Sequence, residues 1–201
     1  YDRVPTIVVG KGEHQIDAQY LNIYSATNIV GDPEVPKEEI VVVGGIGIKK
    51  GIQGNCRLQH LTLRQARDHG VLGYSSFTMD DVLVEQCCDH GVVADGTGVV
   101  GRCTNVEVRQ CRGNGVLVSN GASITLIGAN TTVHDNCTRG YYIQYGLTVH
   151  HSSSTIQLVS PLTKEQVSVN NGGGGNWGAW RADINQIKTI TPADDEANLA
   201  R

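Results

Sequence analysis

The chain has few of the residues that build membrane spans or nucleic-acid surfaces. Its 201 residues include one Met, one Phe and five Pro, and aromatic residues make up 5% of the total. No apolar run approaches the roughly 18 residues that a transmembrane helix requires, so we expect no membrane span. Sixteen Lys and Arg stand against 20 Asp and Glu, giving a net charge of −4. This balance argues against nucleic acid as a partner.

Secretion signals and disulfide frameworks are equally hard to find in the sequence. The chain starts without an initiator Met or a signal-peptide pattern, so we expect an excised domain or a processed chain. Six Cys are present, but their spacing fits no small secreted scaffold. Of two glycosylation sequons, at Asn130 and Asn136, the second is expected to face the interior. Cysteine usage and this inward sequon favour an intracellular location, although the compartment stays open.

Glycine and β-branched residues are abundant, and they recur in an internal repeat. Four units begin HLTLRQARDHGV at His60, DVLVEQCCDHGV at Asp81, NVEVRQCRGNGV at Asn105 and TTVHDNCTRGY at Thr131. Their equivalent strand positions are separated by 21, 24 and 25 residues and lie at Leu63, Val84, Val108 and Val133. Such a period predicts a solenoid in which each unit stacks on the next.

Each unit predicts three short strands. It opens with alternating residues, as at Leu61 and Leu63 facing inward and Thr62 and Arg64 facing outward. A glycine then marks a corner, followed by a second strand and by a third, clearest as SITLIG from Ser123. We therefore expect an all-β fold, a right-handed parallel β-helix with three strands per rung and roughly seven to eight rungs.

A leucine-rich repeat is the alternative, because LQHLTLRQA and its counterparts fit that consensus and the periods overlap. Leucine-rich repeats return through helical segments, however. The segment GVLVSNGASITLIG carries frequent glycines and alternating β-branched residues instead. That composition disfavours a helix, so the β-helix is the preferred interpretation.

The β-helix is expected to span residues 1–176, with a longer, insertion-bearing rung at 134–169. Residues 177–201 are predicted to cap the C-terminal end, where Trp177 and Trp180 follow a run of four glycines.

A short helix is expected over 192–200. Thr191 is a suitable N-cap, Pro192 suits the first helical position, and acidic residues follow in the first turn.

The repeats resemble the carbohydrate-binding and sugar hydrolase repeats of the pectate-lyase-like β-helix superfamily. The resemblance is carried by VEVRQCRGNGVLVSNGASITLIGANTTVHDN and VLVEQCCDHGVVADGT and covers roughly residues 6–175. It implies the fold, but the same scaffold serves polysaccharide lyases, epimerases, copper-enzyme maturation proteins and ubiquitin-ligase subunits. The Asp-Pro-His-Asp motif of alginate epimerases is replaced by Asp32-Pro33-Glu34-Val35.

The resemblance also implies that a sugar would lie on the outward face of the first sheet. Side chains there that suit calcium or general acid–base chemistry are Asp81, Glu85, Glu107, Arg109 and His134. Arg64, Glu85 and Arg109 alternate in charge along one row, however, and such a row also forms cross-strand pairs on a solvated sheet. The paired ladder is the favoured interpretation, and a catalytic site is the alternative.

The Asp-His-Gly-Val sequence occurs twice, so that Asp68 stacks on Asp89 and His69 on His90. These four residues are metal-ligand candidates, because imidazoles one rung apart can share a zinc ion. The favoured interpretation is structural, since Asp commonly satisfies turns through local hydrogen bonds.

Two further features bear on partners and redox state. The long rung contains Tyr141, Tyr145, His150 and His151, which we predict to bind a partner, since irregular loops on regular scaffolds often carry recognition. Cys87 and Cys111 should be stacked neighbours, favoured as buried thiols but close enough for a disulfide.

The sequence thus favours a non-catalytic binding or scaffold module that recognises a protein or a glycan. The alternatives are a polysaccharide lyase or uronan epimerase acting on acidic polysaccharide, and a structural, spike-type segment. No cofactor is expected, although calcium or zinc remains open, and so does the oligomeric state.

Overall fold

The computed structural model describes residues 3–201, and they form a parallel β-helix, as the repeat predicts. Every pair of neighbouring strands in the three ladders runs parallel. Each repeat returns to its starting sheet through strands, and the leucine-rich-repeat alternative is therefore wrong. Alternating β-branched residues stabilise such pleated, half-buried strands.

The strands form three ladders, and four long strands bend at corners to serve two of them. Sheet 1 contains the first part of β2 (Gly12–Ile23) and of β4 (Ile40–Ile48), the second part of β5 (Cys56–Arg64) and of β7 (Phe77–Glu85), β10 (Glu107–Arg109), β13 (Thr132–His134) and β16 (Ser168–Val169). Sheet 2 contains the second part of β2 and β4, β6 (Val71–Gly73), β8 (Val92–Asp95), β11 (Val116–Ser119), β14 (Tyr145–His150) and β17 (Gly175–Trp180). Sheet 3 contains β1 (Thr6–Val9), β3 (Asn28–Gly31), the first part of β5 and β7, β9 (Val100–Thr104), β12 (Ser123–Ile127), β15 (Thr155–Val159) and β18 (Ile187–Ile190).

The solenoid comprises about five turns, slightly fewer than the seven to eight rungs expected. The ladders become irregular at the two ends. Strand β2 shifts register between Gln15 and Tyr20, and β16 has only two residues.

The pairing register follows the predicted repeat through its centre. The equivalent positions pair in succession, from Leu63 to Val84 to Val108 to Val133. In the next coil Val133 pairs with Ser168 instead of the expected Val169. The offset arises because a short helix, α1 (Lys164–Val167), ends at the sheet and delivers the chain one residue earlier.

Two rows of residues with a left-handed backbone conformation lie at the corners of sheet 1. The row that leaves sheet 1 has φ between 54° and 57° at Gln65, Gln86, Gln110, Asp135 and Asn170. The row that enters it has φ between 51° and 54° at His60, Asp81 and Asn105. The second row was expected on the face of sheet 1. It lies at the corner because the bend of β5 and β7 between sheets 3 and 1 requires positive φ there.

The interior is filled by the inward rows, and the two ends of the stack differ. Phe77 is fully buried. At the C-terminal end Trp177 packs on the core beside Leu147, with the Lys164 ammonium 5.5 Å from its ring centroid. At the N-terminal end Leu21 stays 40% exposed beside a cavity of about 330 Å³.

The predicted C-terminal helix is present as α2 (Pro192–Leu199), with Thr191 and Asp194 forming a reciprocal cap. It lies on the outer face of sheet 3, where Asp195 accepts two hydrogen bonds from Arg102, at 2.7 and 3.0 Å. The segment 177–201, which the sequence predicts to be a cap, contains the end of β17 and all of β18 in addition to α2.

Candidate functional site

The outward face of sheet 1 carries a chain of ion pairs centred on Glu85. Its carboxylate is 4% exposed and accepts from Arg64 Nε at 2.6 Å. Arg109 donates to the other oxygen from Nε at 2.9 Å and from its terminal nitrogen at 2.8 Å. Burial alone raises the pKa of Glu85, but the hydrogen bonds from the two guanidinium groups outweigh it and lower the pKa below its ordinary value.

The same network continues through the remaining candidates on this face. Glu107 accepts from Arg109 at 3.0 Å and lies 2.9 Å from His134 Nε2. The other ring nitrogen of His134 lies 2.6 Å from Asp135. Burial alone lowers the pKa of His134, but the bonds to Asp135 and Glu107 raise it above its ordinary value. Four of the five catalytic candidates are thus brought together, and each is engaged by a neighbour of opposite charge.

Asp81, the fifth candidate, lies apart at the corner between sheets 3 and 1. Its carboxylate is 2.5 Å from Lys37 Nζ and 2.6 Å from His60 Nδ1. Burial alone raises the pKa of Asp81, but the hydrogen bonds from Lys37 and His60 lower it. The hydrogen bond to Asp81 raises the pKa of His60, and the bond to the Val35 carbonyl adds to this.

A loop that the repeat does not predict covers part of sheet 1. The 3₁₀ turn Lys37–Glu39 packs over β5 and β7, and Thr62 Oγ1 donates to the Lys37 carbonyl at 2.8 Å. Thr62 is completely buried and Leu83 is 2% exposed, although both point away from the core. The apolar Leu83 in an outward row was the only sequence signal of this cover.

The repeated Asp-His sequence forms a ladder of side-chain acceptors. The members accept backbone amides from later coils: Tyr20 Oη accepts from His69, two coils on, at 3.3 Å, and His69 Nδ1 accepts from His90, in the next coil, at 3.3 Å. His90 Nδ1 accepts from Asn114 at 2.9 Å, and Asn114 Oδ1 accepts from Tyr145 at 2.8 Å. The two imidazole rings stack with centroids 4.8 Å apart. The amides of successive coils are therefore satisfied through this row of side chains.

Three of the four metal candidates come together, and the fourth does not. Ligand atoms of His69, Asp89 and His90 lie within 4.8 Å of one another. Asp68 is engaged elsewhere, accepting from Tyr20 Oη at 2.7 Å and from Gln19 at 2.9 Å.

Both histidines of this group use Nδ1 as an acceptor, which requires the neutral ring with its proton on Nε2. Burial lowers the pKa of His69, and it lowers the pKa of His90 to about 4. A metal at either Nδ1 would have to displace a backbone amide. A metal bound at Nε2 would leave the proton of the neutral ring on Nδ1, where it would face the N–H of that amide.

The predicted partner-binding residues fall into two separate places. Tyr141 is 57% exposed in the loop that precedes β14. Tyr145 begins β14, and its ring lies over the backbone of Gly178. His150 ends the same strand, so it lies about 17 Å from Tyr145.

The far end of β14 carries a stack of rings. His150 lies 4.1 Å from His151 and 4.4 Å from Trp180, centroid to centroid. The Arg181 guanidinium lies 4.6 Å from the Trp180 centroid. The Nδ1 atoms of both histidines are 3.5 Å from Ser119 Oγ. Burial lowers the pKa of His150, and the charges of His151 and Arg181 lower it further.

Sequence reasoning missed a groove along the edge of sheet 2. Two cavities, of about 480 and 410 Å³, share the ring of Tyr74, which is 38% exposed. The first is lined by Ala18, Gln19, Tyr20, Asn22, Gly47, Lys49 and Leu72, and the second by Lys50, Asp95, Gly96, Thr97, Val99 and Asn120. Gly47 lies beneath Asn22 and Tyr20, where a Cβ would come within 2.8 Å of Asn22 Oδ1. Lys49, Tyr74 and Asp95 follow equivalent positions of β4, β6 and β8, but their side chains differ too much to show as a row in the repeat.

All six cysteines are free. Cys87 Sγ lies 3.7 Å from the Glu85 carbonyl, and Cys111 Sγ lies 3.5 Å from the Arg109 carbonyl. The favoured interpretation, that Cys87 and Cys111 are buried thiols, is therefore confirmed.

Across residues 3–201, no helix has both the length and the apolar character needed to cross a membrane. The chain can be classified at the level of its fold, which is a parallel β-helix. No model of a known protein family, no curated protein and no solved structure matches it.

Proposed function

We propose that the protein is a non-catalytic binding module that recognises a polysaccharide through the groove beside Tyr74. The observation that carries the proposal is a contrast between two outer surfaces. The charged groups on sheet 1 pair with one another, whereas the sheet 2 groove presents the exposed Tyr74 ring beside polar side chains that include Asn22 and Lys49. We also propose that the chain is a member of the pectate-lyase-like superfamily.

The chemistry of the groove suits a sugar. The Tyr74 ring offers an apolar face to the C–H groups of a pyranose, while its hydroxyl can bond to water or ligand. Asn22 supplies a donor pair and an acceptor, whereas Asn120 donates one of its amide hydrogens to Asp95 and offers the other, and Asp95 supplies further acceptors. A concave surface with a few convergent polar groups is the usual form of a small-molecule site.

The paired network on sheet 1 argues against the lyase or epimerase alternative. A general base must lie within hydrogen-bond reach of a substrate proton and have a pKa near the working pH. Glu85 is buried between two guanidinium groups, and its pKa is lowered. His134 is held between two carboxylates, and its pKa is raised. Glu85 is thus stabilised in its charged form, and both ring nitrogens of His134 are already engaged by carboxylates.

The test is affinity electrophoresis of the purified protein through gels that contain starch, xylan, pectate or alginate. Retardation by at least one polymer, lost in Tyr74→Ala, is expected. Tyr24→Ala is the matched control, since Tyr24 is 73% exposed and lies outside the groove lining. Turnover of pectate or alginate that is abolished by Arg109→Ala or His134→Ala would refute the non-catalytic proposal.

A second candidate function is binding of a protein partner through the loop that precedes β14. Tyr141, Tyr142 and Ile143 are consecutive and are 57%, 81% and 44% exposed. Exposed tyrosines of this kind are frequent at the centres of protein interfaces. A partner captured by the native protein should be lost with Tyr141→Ser/Tyr142→Ser and kept with Tyr24→Ser. A stable trimer in sedimentation equilibrium would favour the structural, spike-type alternative.

A further inference from the structure

We infer that the segment 32–39 is a strap over sheet 1 whose closure depends on a doubly protonated His60, so that the strap opens and uncovers Thr62 and Leu83 as the pH rises. The inference is independent of the proposed binding function, which concerns sheet 2. It derives from the hydrogen-bonding partners of the His60 ring and from the burial of two side chains that point away from the core.

The strap joins β3 to β4 and is held to β5 and β7 by three polar contacts. The Lys37 carbonyl accepts from Thr62 Oγ1 at 2.8 Å, and Lys37 Nζ lies 2.5 Å from Asp81. The Val35 carbonyl lies 2.7 Å from His60 Nε2. Two of the three contacts therefore involve the corner at which β5 and β7 bend between sheets 3 and 1.

The strap covers part of an outward row of sheet 1. Thr62 is completely buried and Leu83 is 2% exposed, and the two residues are neighbours in the ladder. The turn Lys37–Glu39 packs on β4, β5 and β7. The next residue of the row is Glu107 on β10, whose side chain is 28% exposed. Opening of the strap would therefore uncover an apolar side chain on a face that is otherwise charged.

The His60 ring can make both of its contacts only as an imidazolium. Nδ1 lies 2.6 Å from the Asp81 carboxylate, and Nε2 lies 2.7 Å from the Val35 carbonyl. An ionised carboxylate and a carbonyl are acceptors only, so each ring nitrogen must carry a proton. The neutral ring has one proton and would leave the other nitrogen facing an oxygen without a donor. Closure of the strap is therefore coupled to the charge of His60.

Loss of one proton should break the contact with the strap rather than the contact with β7. A hydrogen bond to a carboxylate is charge-assisted and is roughly twice as strong as a bond between neutral groups. The neutral ring should therefore keep its proton on Nδ1, toward Asp81. Nε2 then faces the Val35 carbonyl without a donor, and the strap is held by the contacts of Lys37 alone.

The charged groups around His60 fix the direction of the pH dependence. The hydrogen bond to Asp81, on β7, raises the pKa of His60, and the charge of Lys37, on the strap, opposes it. Asp80, next to Asp81, is paired with Arg57 on β5 at 3.5 Å. An unfolded histidine titrates near 6.5. The stabilisation of the closed strap is therefore complete below about pH 6.5 and is lost as the pH rises through the higher pKa of the folded ring.

The experiment measures how well the strap protects position 83 from a thiol reagent. The protein carries Leu83→Cys and Cys88→Ser, which removes the half-buried native thiol. The rate in denaturant at each pH, divided by the rate in the folded protein, gives a protection factor that is corrected for thiolate formation. We expect this factor to fall at least fivefold between pH 6 and 9, while the protection of the buried Cys103 stays constant.

Variants assign the effect to the histidine. His60→Asn should remove the pH dependence, and asparagine tolerates the φ of 53° at this position. His134→Asn is the matched control, because His134 also lies between two acceptors on sheet 1, but these are Glu107 and Asp135. It should leave the protection profile unchanged. In the native protein, the Leu83 methyl signals should shift with the same NMR midpoint as the His60 ring, which tests the coupling without any substitution.

Three results would overturn the inference. The first is constant protection of position 83 from pH 6 to 9, with Leu83 methyl signals that do not follow the His60 ring. The second is a pH dependence that persists in His60→Asn. The third is a parallel loss of protection at Cys103, which would show that the whole fold loosens rather than the strap.

Discussion

The imidazole rings of His69 and His90 lie parallel, with 4.8 Å between centroids and 5° between planes. Each ring accepts the backbone amide of the following coil through Nδ1. The repeated Asp-His sequence is thus a row of acceptors that links Tyr20 to Asn114 across the stack. Protonation of either ring would place an N–H donor against another donor, so this row ties the stability of the fold to pH.

We expect His90 to make the protein less stable in mild acid. Burial lowers the pKa of His90 to about 4, despite the opposing charge of Asp89, whereas an unfolded histidine titrates near 6.5. The folded state therefore favours the neutral ring. The stabilisation that the neutral His90 ring provides is complete above about pH 6.5 and is lost as the pH falls toward 4, about 3 kcal/mol over that range.

Urea unfolding of the native protein and of His90→Asn at pH 7.5, 6 and 5 measures this effect. Asparagine is the matched replacement, because Asn114 makes the same amide contact one coil later. The variant should lose less stability than the native protein between pH 7.5 and 5. His60 and His134, whose pKa values are raised, contribute in the opposite direction and are common to both proteins. Parallel pH profiles would contradict the role of His90.

Glu85→Gln should be strongly destabilising. The substitution leaves Arg64 and Arg109 next to each other with no carboxylate between them, and breaking a buried pair costs about 3 kcal/mol or more. Glu107→Gln on the same network is the control, because Glu107 is 28% exposed and should cost about 1 kcal/mol or less. Equal losses in chemical denaturation would show that the burial of Glu85 is unimportant.

The structure also predicts the behaviour of the group formed by His69, Asp89 and His90 toward zinc. We expect that neither EDTA nor added zinc shifts the melting temperature, because both Nδ1 atoms already accept backbone amides. Differential scanning fluorimetry of the native protein tests this. A rise in melting temperature with zinc that disappears in His90→Asn would establish the metal site instead.

The buried sequon residue Asn136 should be essential to the stack. It is 1% exposed, its oxygen accepts from the Cys111 amide at 3.0 Å, and its nitrogen donates to the Val108 carbonyl at 3.0 Å. Asn136→Ala leaves both backbone groups unsatisfied and should cost about 3 kcal/mol in urea unfolding. Asn130→Ala, at the exposed sequon, should change stability by less than about 0.5 kcal/mol. A small effect at Asn136 would mean that water replaces the amide.

Thiol reactivity should distinguish one cysteine from the other five. Cys88 is half-buried, whereas the remaining thiols are buried, and burial raises the pKa of Cys103 to about 12. Because the thiolate is the reactive form, Ellman's reagent should titrate one fast thiol in the folded protein. All six should react in denaturant, and Cys88→Ser should remove the fast phase. Four thiols in denaturant without reductant would indicate a disulfide.

The sequence predicted the fold because short, repeated sequence patterns specify a β-helix. Alternation such as Leu61-Thr62-Leu63 sets which side chains enter the core, and equal spacing sets which coils stack. The pairing of Leu63 with Val84 and of Val84 with Val108 follows from these two rules alone. The start of α2 was equally local, since Thr191 and Pro192 carry its capping chemistry.

The sequence also predicted the contacts that lie along a ladder. Arg64, Glu85 and Arg109 pair as their alternating charges indicate, because equivalent positions lie one coil apart. The burial of Glu85 was not predicted.

Only the tertiary structure decided the features that depend on the paths of loops between strands. The turn Lys37–Glu39 covers Thr62, β14 holds Tyr145 and His150 apart, and α1 shifts the register of the coil at Ser168 by one residue. The groove around Tyr74 belongs only partly to this class: Lys49, Tyr74 and Asp95 continue aligned positions of β4, β6 and β8, whereas Lys50, Gly96 and Thr97 lie in the turns that follow. Periodicity fixes neighbours within a ladder, but the side chains that meet across a corner depend on where irregular segments run. A solenoid repeat leaves those paths unspecified, and part of the candidate binding surface of this protein lies there.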